Sequence, residues 1–332
     1  MQAILAVTIP FFALVLLGWF AARSYWLPES AIPGLNAYVL FFALPCMLFR
    51  FGSSLPIGRL ADPVLLAVYL VAALAIIALT IAVTVRRPGR PGGVRLRDAA
   101  FGALVAAFPN AGFMGVPLLV ALLGDNAAGP VIGAIVVDLV VTSTLCVAIA
   151  QSQSHRSRAA DERSMLTAAA LSLRGALTNP LPWAIALGAV FAATDRELPA
   201  PLAQVVRMLG DSAAPVALFT IGSVLWRAGQ HAHTKTPVAQ YLPVALIKLL
   251  VHPALVFAIG LAARALGAPL PTFALMVLTL TAALPSASNV SLLAERYGAD
   301  NGRIARIIMA STVLAFSTFS ATAWLFGAGR GA

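Results

Sequence analysis

The hydrophobic positions of the chain fall into ten long runs that are separated by short polar stretches. Each run is close to the roughly 20 apolar residues that an α-helix needs to cross a bilayer. The pattern therefore predicts an all-α, polytopic membrane protein with ten transmembrane helices. The predicted spans 1 to 10 are residues 3–22, 34–51, 63–85, 98–123, 129–150, 176–194, 202–226, 239–263, 270–294 and 304–326.

Two of these spans cannot be straight helices. The centre of span 4 reads Phe108-Pro-Asn-Ala-Gly-Phe-Met-Gly-Val-Pro117, and span 9 is interrupted at Pro285-Ser-Ala-Ser-Asn289. Proline removes a backbone donor and breaks a helix. Inside a bilayer such a break persists only where protein or a cavity surrounds it. Two broken helices, one in each half of the chain, indicate the binding site of a transporter near the middle of the membrane.

An internal repeat relates the two halves of the chain. Residues 43–53 and 213–223 are identical at six of eleven positions, at a constant offset of 170. Each half holds five spans, an odd number, so the second copy must be inverted relative to the first. We predict a first five-helix repeat at 1–150, a cytoplasmic linker at 151–175 and a second, inverted repeat at 176–332. Spans 4 and 9 then occupy equivalent places and can cross near the midplane.

Composition and charge support this topology and exclude other classes. The chain is 60% hydrophobic and only 10% charged, whereas soluble domains are about 25% charged. The net charge of +10 does not indicate nucleic acid here, because the basic residues lie in the loops between the spans. With both termini outside, 15 Lys and Arg residues face the cytoplasm and 6 face the other side. The positive-inside rule favours that orientation.

The breaks also carry the candidate binding residues. A helix that begins inside the membrane presents free amides with a partial positive charge, which suits a carboxylate. Nearby asparagine and serine side chains can bind a substrate, or they can satisfy the broken backbone. The predicted substrate-binding residues are Asn110, Gly112, Phe113, Ser286, Ser288 and Asn289. The residues predicted to form the breaks are Pro109, Pro117 and Pro285.

Two further prolines lie in the repeated segments of spans 2 and 7. Pro45 and Pro215 should kink these helices. The kinks can place neighbouring side chains, among them Cys46 and Phe219, against the crossing point as an apolar wall for the substrate. Simple packing of kinked helices explains the same residues equally well.

Two charges lie well inside predicted spans, Asp138 in span 5 and Lys248 in span 8. A charge at that depth costs at least about 2.5–3.5 kcal/mol, so it should be paired or functional. Their depths nearly coincide, and we predict an ion pair beside the crossing point. The pair can couple transport to protons or can be a structural tie. His252, one turn after Lys248, can join a proton path or simply pack.

The motifs at the two breaks resemble those of a bacterial member of the auxin efflux carrier family. The similar stretches are Asn110-Ala-Gly-Phe-Met-Gly-Val-Pro117 in span 4 and residues 284–298 in span 9, together with the Pro45 and Pro215 segments. The resemblance implies a scaffold of spans 1, 2, 6 and 7 and a transport domain that carries crossed spans 4 and 9. It also implies small organic anions as substrates. The chain lacks the long hydrophilic central loop of many plant members, which weakens any transfer of auxin specificity.

The sequence thus predicts a secondary carrier of a small organic anion, such as malonate or malate, that works by alternating access. We place it in a bacterial-type inner membrane. The sequence leaves open whether a proton or a sodium ion couples transport or the membrane potential alone drives it, and it leaves a homodimer open. A sodium/proton-type exchanger or a bile-acid-like symporter is the alternative, and an intramembrane enzyme is a distant one. We expect no enzyme activity, because no nucleophile and base are paired. We expect no cofactor and no metal site, because His231 and His233 lack a third ligand.

Overall fold

The apolar runs fold into helices at the predicted places. The computed structural model describes residues 2–54, 62–85, 93–152, 180–230 and 236–328, and within these ranges the chain is all-α apart from isolated bridges. The helices are α1 (Gln2–Arg23), α2 (Glu29–Ser54), α3 (Pro63–Thr84), α4 (Leu96–Ala107), α5 (Ala111–Leu123), α6 (Asp125–Gln151), α7 (Pro180–Ala193), α8 (Ala200–Gln230), α9 (Val238–Ala265), α10 (Thr272–Ala282), α11 (Val290–Arg296) and α12 (Asn301–Leu325).

Seven of the described helices, α1, α2, α3, α6, α8, α9 and α12, are long and apolar enough to cross a membrane. Shorter apolar helices are α5, α7 and α10. The protein is therefore an all-α polytopic membrane protein, as predicted, while the count of ten spans stays a prediction. Span 4 is divided into α4 and α5, and span 9 into α10 and α11. The linker lies almost wholly outside the described residues, as do His231 and His233.

The helices form two packed groups. In the first group α1 packs along α8, and α7 packs along α2, which also contacts α8. In the second group α4 lies between α3 and α6, and α10 packs on α9 and α6. The groups meet where α12 and α5 contact α1 and α8. Both broken spans therefore belong to the second group, and α5 of span 4 lies against the first.

Glycines permit the close helix contacts of the first group. A Cβ atom added at Gly18 of α1 would overlap the Phe219 carbonyl of α8, and one added at Gly222 of α8 would overlap the Val15 carbonyl of α1. Small residues allow helix backbones to approach in this way where lipid surrounds them.

The contact between α2 and α7 repeats this arrangement. Gly188 of α7 lies against the Phe49 carbonyl of α2, and Gly52 of α2 lies against the Ile185 carbonyl of α7. Each of these four residues lies 170 positions along the sequence from its counterpart in the contact between α1 and α8. The two helix pairs therefore use equivalent residues for the same close approach.

Candidate substrate site at the paired helix breaks

The two breaks lie side by side and satisfy each other's backbone. An isolated antiparallel bridge joins Pro109 to Ser286. The Asn110 amide donates to the Pro285 carbonyl at 2.8 Å, and the Ala287 amide donates to the Phe108 carbonyl at 3.1 Å. Buried backbone groups need partners of this kind, above all in a membrane. The mutual pairing explains how two broken helices persist in the interior.

The polar side chains at the breaks take no part in this pairing. The Ser286 hydroxyl and the Asn289 Oδ1 atom are buried and have no hydrogen-bond partner among the described residues. Neither Asn110 nor Asn289 caps the helix that follows it with its side chain. A buried polar atom without a partner costs about 1–3 kcal/mol. Such atoms therefore indicate a ligand or water at this place.

Two backbone amides at the start of α5 are also free. The Ala111 amide donates to the Pro109 carbonyl, and the Met114 amide donates to the Asn110 carbonyl. Within the described part of the chain, the amides of Gly112 and Phe113, which lie between them, have no such bond. A Cβ atom added at Gly112 would meet nothing within 4 Å. Two free donors thus lie at a helix N-terminus, beside open space, and Asn110 precedes them directly.

A cavity of about 880 Å³ leads to the second break. The start of α2, the end of α8 and the start of α12 form its walls, and Ser288 and Asn289 form part of its lining. Asn110 and Ser286 do not line this cavity and are buried, at 3% and 1% exposure. The structure thus brings the polar residues of both breaks into one region, and of these Ser288 and Asn289 line the cavity.

The charged residues in the cavity wall are Glu29, Glu295 and Arg227. Arg227 is half-buried, and it forms no ion pair within the described ranges. Asn301 also lines the cavity, and its Oδ1 atom is sealed from solvent in the same way as that of Asn289. Among the described residues, the cavity wall thus holds one guanidinium and two carboxylates, together with the side chains of Asn289 and Asn301, which can donate or accept hydrogen bonds.

Apolar side chains other than the predicted wall residues line this cavity. The side chains that line the cavity include Leu40, Phe41 and Val224, and not Pro45, Cys46, Pro215 or Phe219. Pro215 is exposed on the surface of α8, and the α8 face that carries Phe219 and Gly222 packs on α1. The Phe219 segment therefore packs on α1, and the role of the four predicted residues as an apolar wall for the substrate stays a prediction.

The buried charges lie close together without the predicted ion pair. The Asp138 carboxylate accepts hydrogen bonds from Tyr69 at 2.8 Å and from Thr142 at 3.1 Å. The Lys248 ammonium donates to the Ala282 carbonyl at 2.8 Å and lies 3.1 Å from His252 Nδ1. Ion pairs between described residues are instead found at Arg50–Asp211 and Arg95–Asp98. The prediction of direct contact was wrong, because other partners occupy both groups.

Comparison with known proteins identifies the family of this chain. A family model described as "Membrane transport protein" matches residues 3–325. The chain belongs to this family. A protein from Rhizobium meliloti (strain 1021) named "Putative malonate transporter" is 27% identical over 331 residues, covering 99% of this chain and 98% of the relative. The "Uncharacterized transporter YfdV" of Escherichia coli (strain K12) is 24% identical, with 96% and 95% covered.

The plant branch of the family is also similar. The "Auxin efflux carrier component 8" of Arabidopsis thaliana is 22% identical, with 89% of each chain covered. These matches confirm the resemblance to the auxin efflux carrier family. The description of the family and the names of the relatives point to a multi-pass membrane transporter rather than to an enzyme.

Three residues of the site region were missed by sequence reasoning. Tyr69 binds Asp138, while Arg227 and Asn301 line the cavity. Tyr69 stands in an unbroken apolar run, where a single tyrosine is unremarkable. Arg227 and Asn301 stand at helix ends, where basic and amide residues are common. Only the packing of helices that are far apart in the sequence brings Tyr69 to Asp138 and brings Arg227 and Asn301 to the cavity.

Proposed function

We propose that the protein is a secondary transporter that binds a small organic anion, a mono- or dicarboxylate such as malonate or malate, at the paired helix breaks. The observation that carries this proposal is the set of free donors beside open space, namely the Gly112 and Phe113 amides and the Asn110 side chain. A helix N-terminus with free amides attracts a carboxylate without any buried cation. The name of the Rhizobium meliloti relative includes malonate, which supports the same class of substrate.

The composition of the breaks argues against cation exchange. Residues 108–117 and 285–289 contain no carboxylate. A sodium or proton exchanger needs an ionisable acid at the site where its cation binds. Amides and hydroxyls, with the positive ends of helices, favour an anion instead.

We propose alternating access between the two groups of helices as the transport mechanism. The first group, which contains the glycine contacts, acts as the scaffold, and the second carries both breaks. If the N-terminus is outside, the cavity opens to the cytoplasm, since the start of α2 and the end of α8 then lie on that side. This conformation would release or load the anion on the cytoplasmic side of the inner membrane.

The inverted repeat belongs to the same proposal. We infer ten spans, with repeats at 1–150 and 176–332 around a cytoplasmic linker. The glycine contacts at an offset of 170 support it, and so does the reciprocal pair of backbone hydrogen bonds at the breaks. Both features are expected when a pseudo-two-fold axis lies in the membrane plane. The homodimer stays a prediction.

Uptake of radiolabelled malonate and malate into proteoliposomes tests the proposal, with Gly112→Leu beside the wild type. We expect the wild type to take up at least one of these acids. Gly112→Leu should reduce uptake at least tenfold, because its side chain would fill the open space beside the free amides. Its melting temperature should stay within a few degrees of the wild type, because that space is empty of protein atoms.

A matched control for this variant is Gly229→Leu. Gly229 of α8 also has nothing within 4 Å of an added Cβ atom, and it is exposed and does not line the cavity. Unchanged uptake in Gly229→Leu with loss in Gly112→Leu would support the site. Normal uptake in Gly112→Leu would place the anion elsewhere.

A further inference from the structure

Four ionisable side chains lie together in the second helix group, away from the cavity. They are Tyr69 on α3, Asp138 on α6, and Lys248 and His252 on α9, and each has 0% exposure. None of them lines the cavity. Burial of a charge inside a membrane costs several kcal/mol, so such groups are usually paired or functional. Together they form what we call the buried cluster.

The cluster has an acidic side and a basic side that face each other. Tyr69 donates to Asp138 on the first side, and Lys248 contacts His252 on the second. The rings of Tyr69 and His252 approach to 6.0 Å between centroids and so connect the two sides. The His252 Nε2 atom is buried and has no partner in the described part of the chain. Among the described residues, Cys146, two turns along α6, is a further ionisable side chain near Asp138.

Both charged residues lie in irregular turns of their helices. Asp138 begins a π-helical turn (Asp138–Thr142), and Lys248 lies in another (Ile247–Val251). Such turns are uncommon and are frequent at functional sites. The helices are therefore distorted where the two charges face each other.

Lys248 connects the cluster to the second break. Its ammonium donates to the carbonyl of Ala282, the last residue of α10, and the break at Pro285 follows within three residues. A positive charge at this position stabilises the negative end of the helix dipole. The same ammonium also contacts His252. Any change in the protonation of the cluster therefore acts on the end of the half-helix that forms the break.

Resting on the proposed function, we propose that the buried cluster binds the coupling proton and that the protein is a proton–anion symporter. One H⁺ binds to the cluster from water on one side of the membrane and leaves to water on the other, together with one anion. The proton compensates the negative charge of the substrate while the second helix group moves, because both sites lie in that group. Tyr69 is a positioning residue that holds the Asp138 carboxylate toward His252.

Two assays on reconstituted protein separate coupling from substrate binding. The first is malonate counterflow at equal pH on both sides, which needs only substrate binding and exchange. The second is malonate accumulation driven by an imposed pH gradient. For Asp138→Asn we expect accumulation to fall at least tenfold relative to counterflow. For Tyr69→Phe we expect the pH dependence of accumulation to shift while counterflow persists.

The control for both variants is Thr144→Val. Thr144 lies on α6 near Asp138, and its hydroxyl has no partner among the described residues. This variant should keep the wild-type ratio of accumulation to counterflow. A wild-type ratio in Asp138→Asn, or an equal loss of both activities in folded Asp138→Asn and Tyr69→Phe, would overturn the proposal.

Two other outcomes concern the wild type. Accumulation that follows a sodium gradient and ignores the pH gradient would also overturn proton coupling. Absence of counterflow in the wild type, with any mono- or dicarboxylate, would contradict the proposed function itself and is therefore distinguishable from failure of the coupling proposal.

Discussion

Asn110→Ala should reduce the kcat/KM of malonate transport by about 10- to 100-fold while leaving the fold intact. A hydrogen bond to a charged group contributes about 1.5–3 kcal/mol, and each 1.4 kcal/mol corresponds to a factor of ten. The Asn110 side chain directly precedes the free amides of α5, so its loss removes a substrate contact. Initial rates over a range of malonate concentrations in proteoliposomes measure this effect.

The fold should survive because the side chain supports nothing else. The backbone of Asn110 pairs with Pro285 and Met114, and those bonds remain in the alanine variant. We expect the melting temperature in detergent to change by no more than a few degrees. A folded Asn110→Ala protein with wild-type kinetics would mean that Asn110 does not contact the substrate.

Gly222→Leu should prevent the protein from folding into a stable, monodisperse form. The new side chain would collide with backbone atoms of Val15 and Trp19 in α1. Ordinary overpacking costs about 1–3 kcal/mol, because neighbouring side chains can move aside. Backbone atoms in a helix cannot move in that way, so α1 and α8 would have to separate. Size-exclusion chromatography and thermal unfolding in detergent measure the outcome.

The equivalent glycine in the other helix pair provides the matched comparison. Gly52→Leu should be similarly harmful, because Gly52 lies against the Ile185 carbonyl of α7. Gly229→Leu, on the same helix as Gly222 but in open space, should be harmless. A stable Gly222→Leu protein would show that the first helix group tolerates separation and is no rigid scaffold.

The breaks could be predicted from the sequence because their cause is local. Proline removes an amide donor wherever it stands, and an apolar run without charges must lie in the membrane. Pro109 and Pro285 therefore gave the positions of both breaks. The sequence also predicted that polar residues near them, such as Asn110 and Asn289, lie in one region.

The mutual pairing of the breaks and the contacts of the charges could not be predicted. Which atoms meet depends on the rotation and tilt of helices that are far apart in sequence. Asp138 and Lys248 were matched by depth alone, and depth says nothing about whether Tyr69 or Lys248 reaches the carboxylate. The Pro215 segment shows the same limit, since one close contact at Gly222 decides which way its helix faces.

Protection of a cysteine at the second break tests most directly whether the anion binds there. Ser288→Cys would be made in a variant without Cys46 and Cys146, and a membrane-impermeant thiol reagent would be applied to inside-out vesicles. Ser288 lines the cavity and has little other contact with solvent, at 8% exposure. We predict labelling from the cytoplasmic side that malonate slows at least fivefold, and no protection when Asn110→Ala is added. Labelling at the same rate with and without a saturating organic acid would contradict the account.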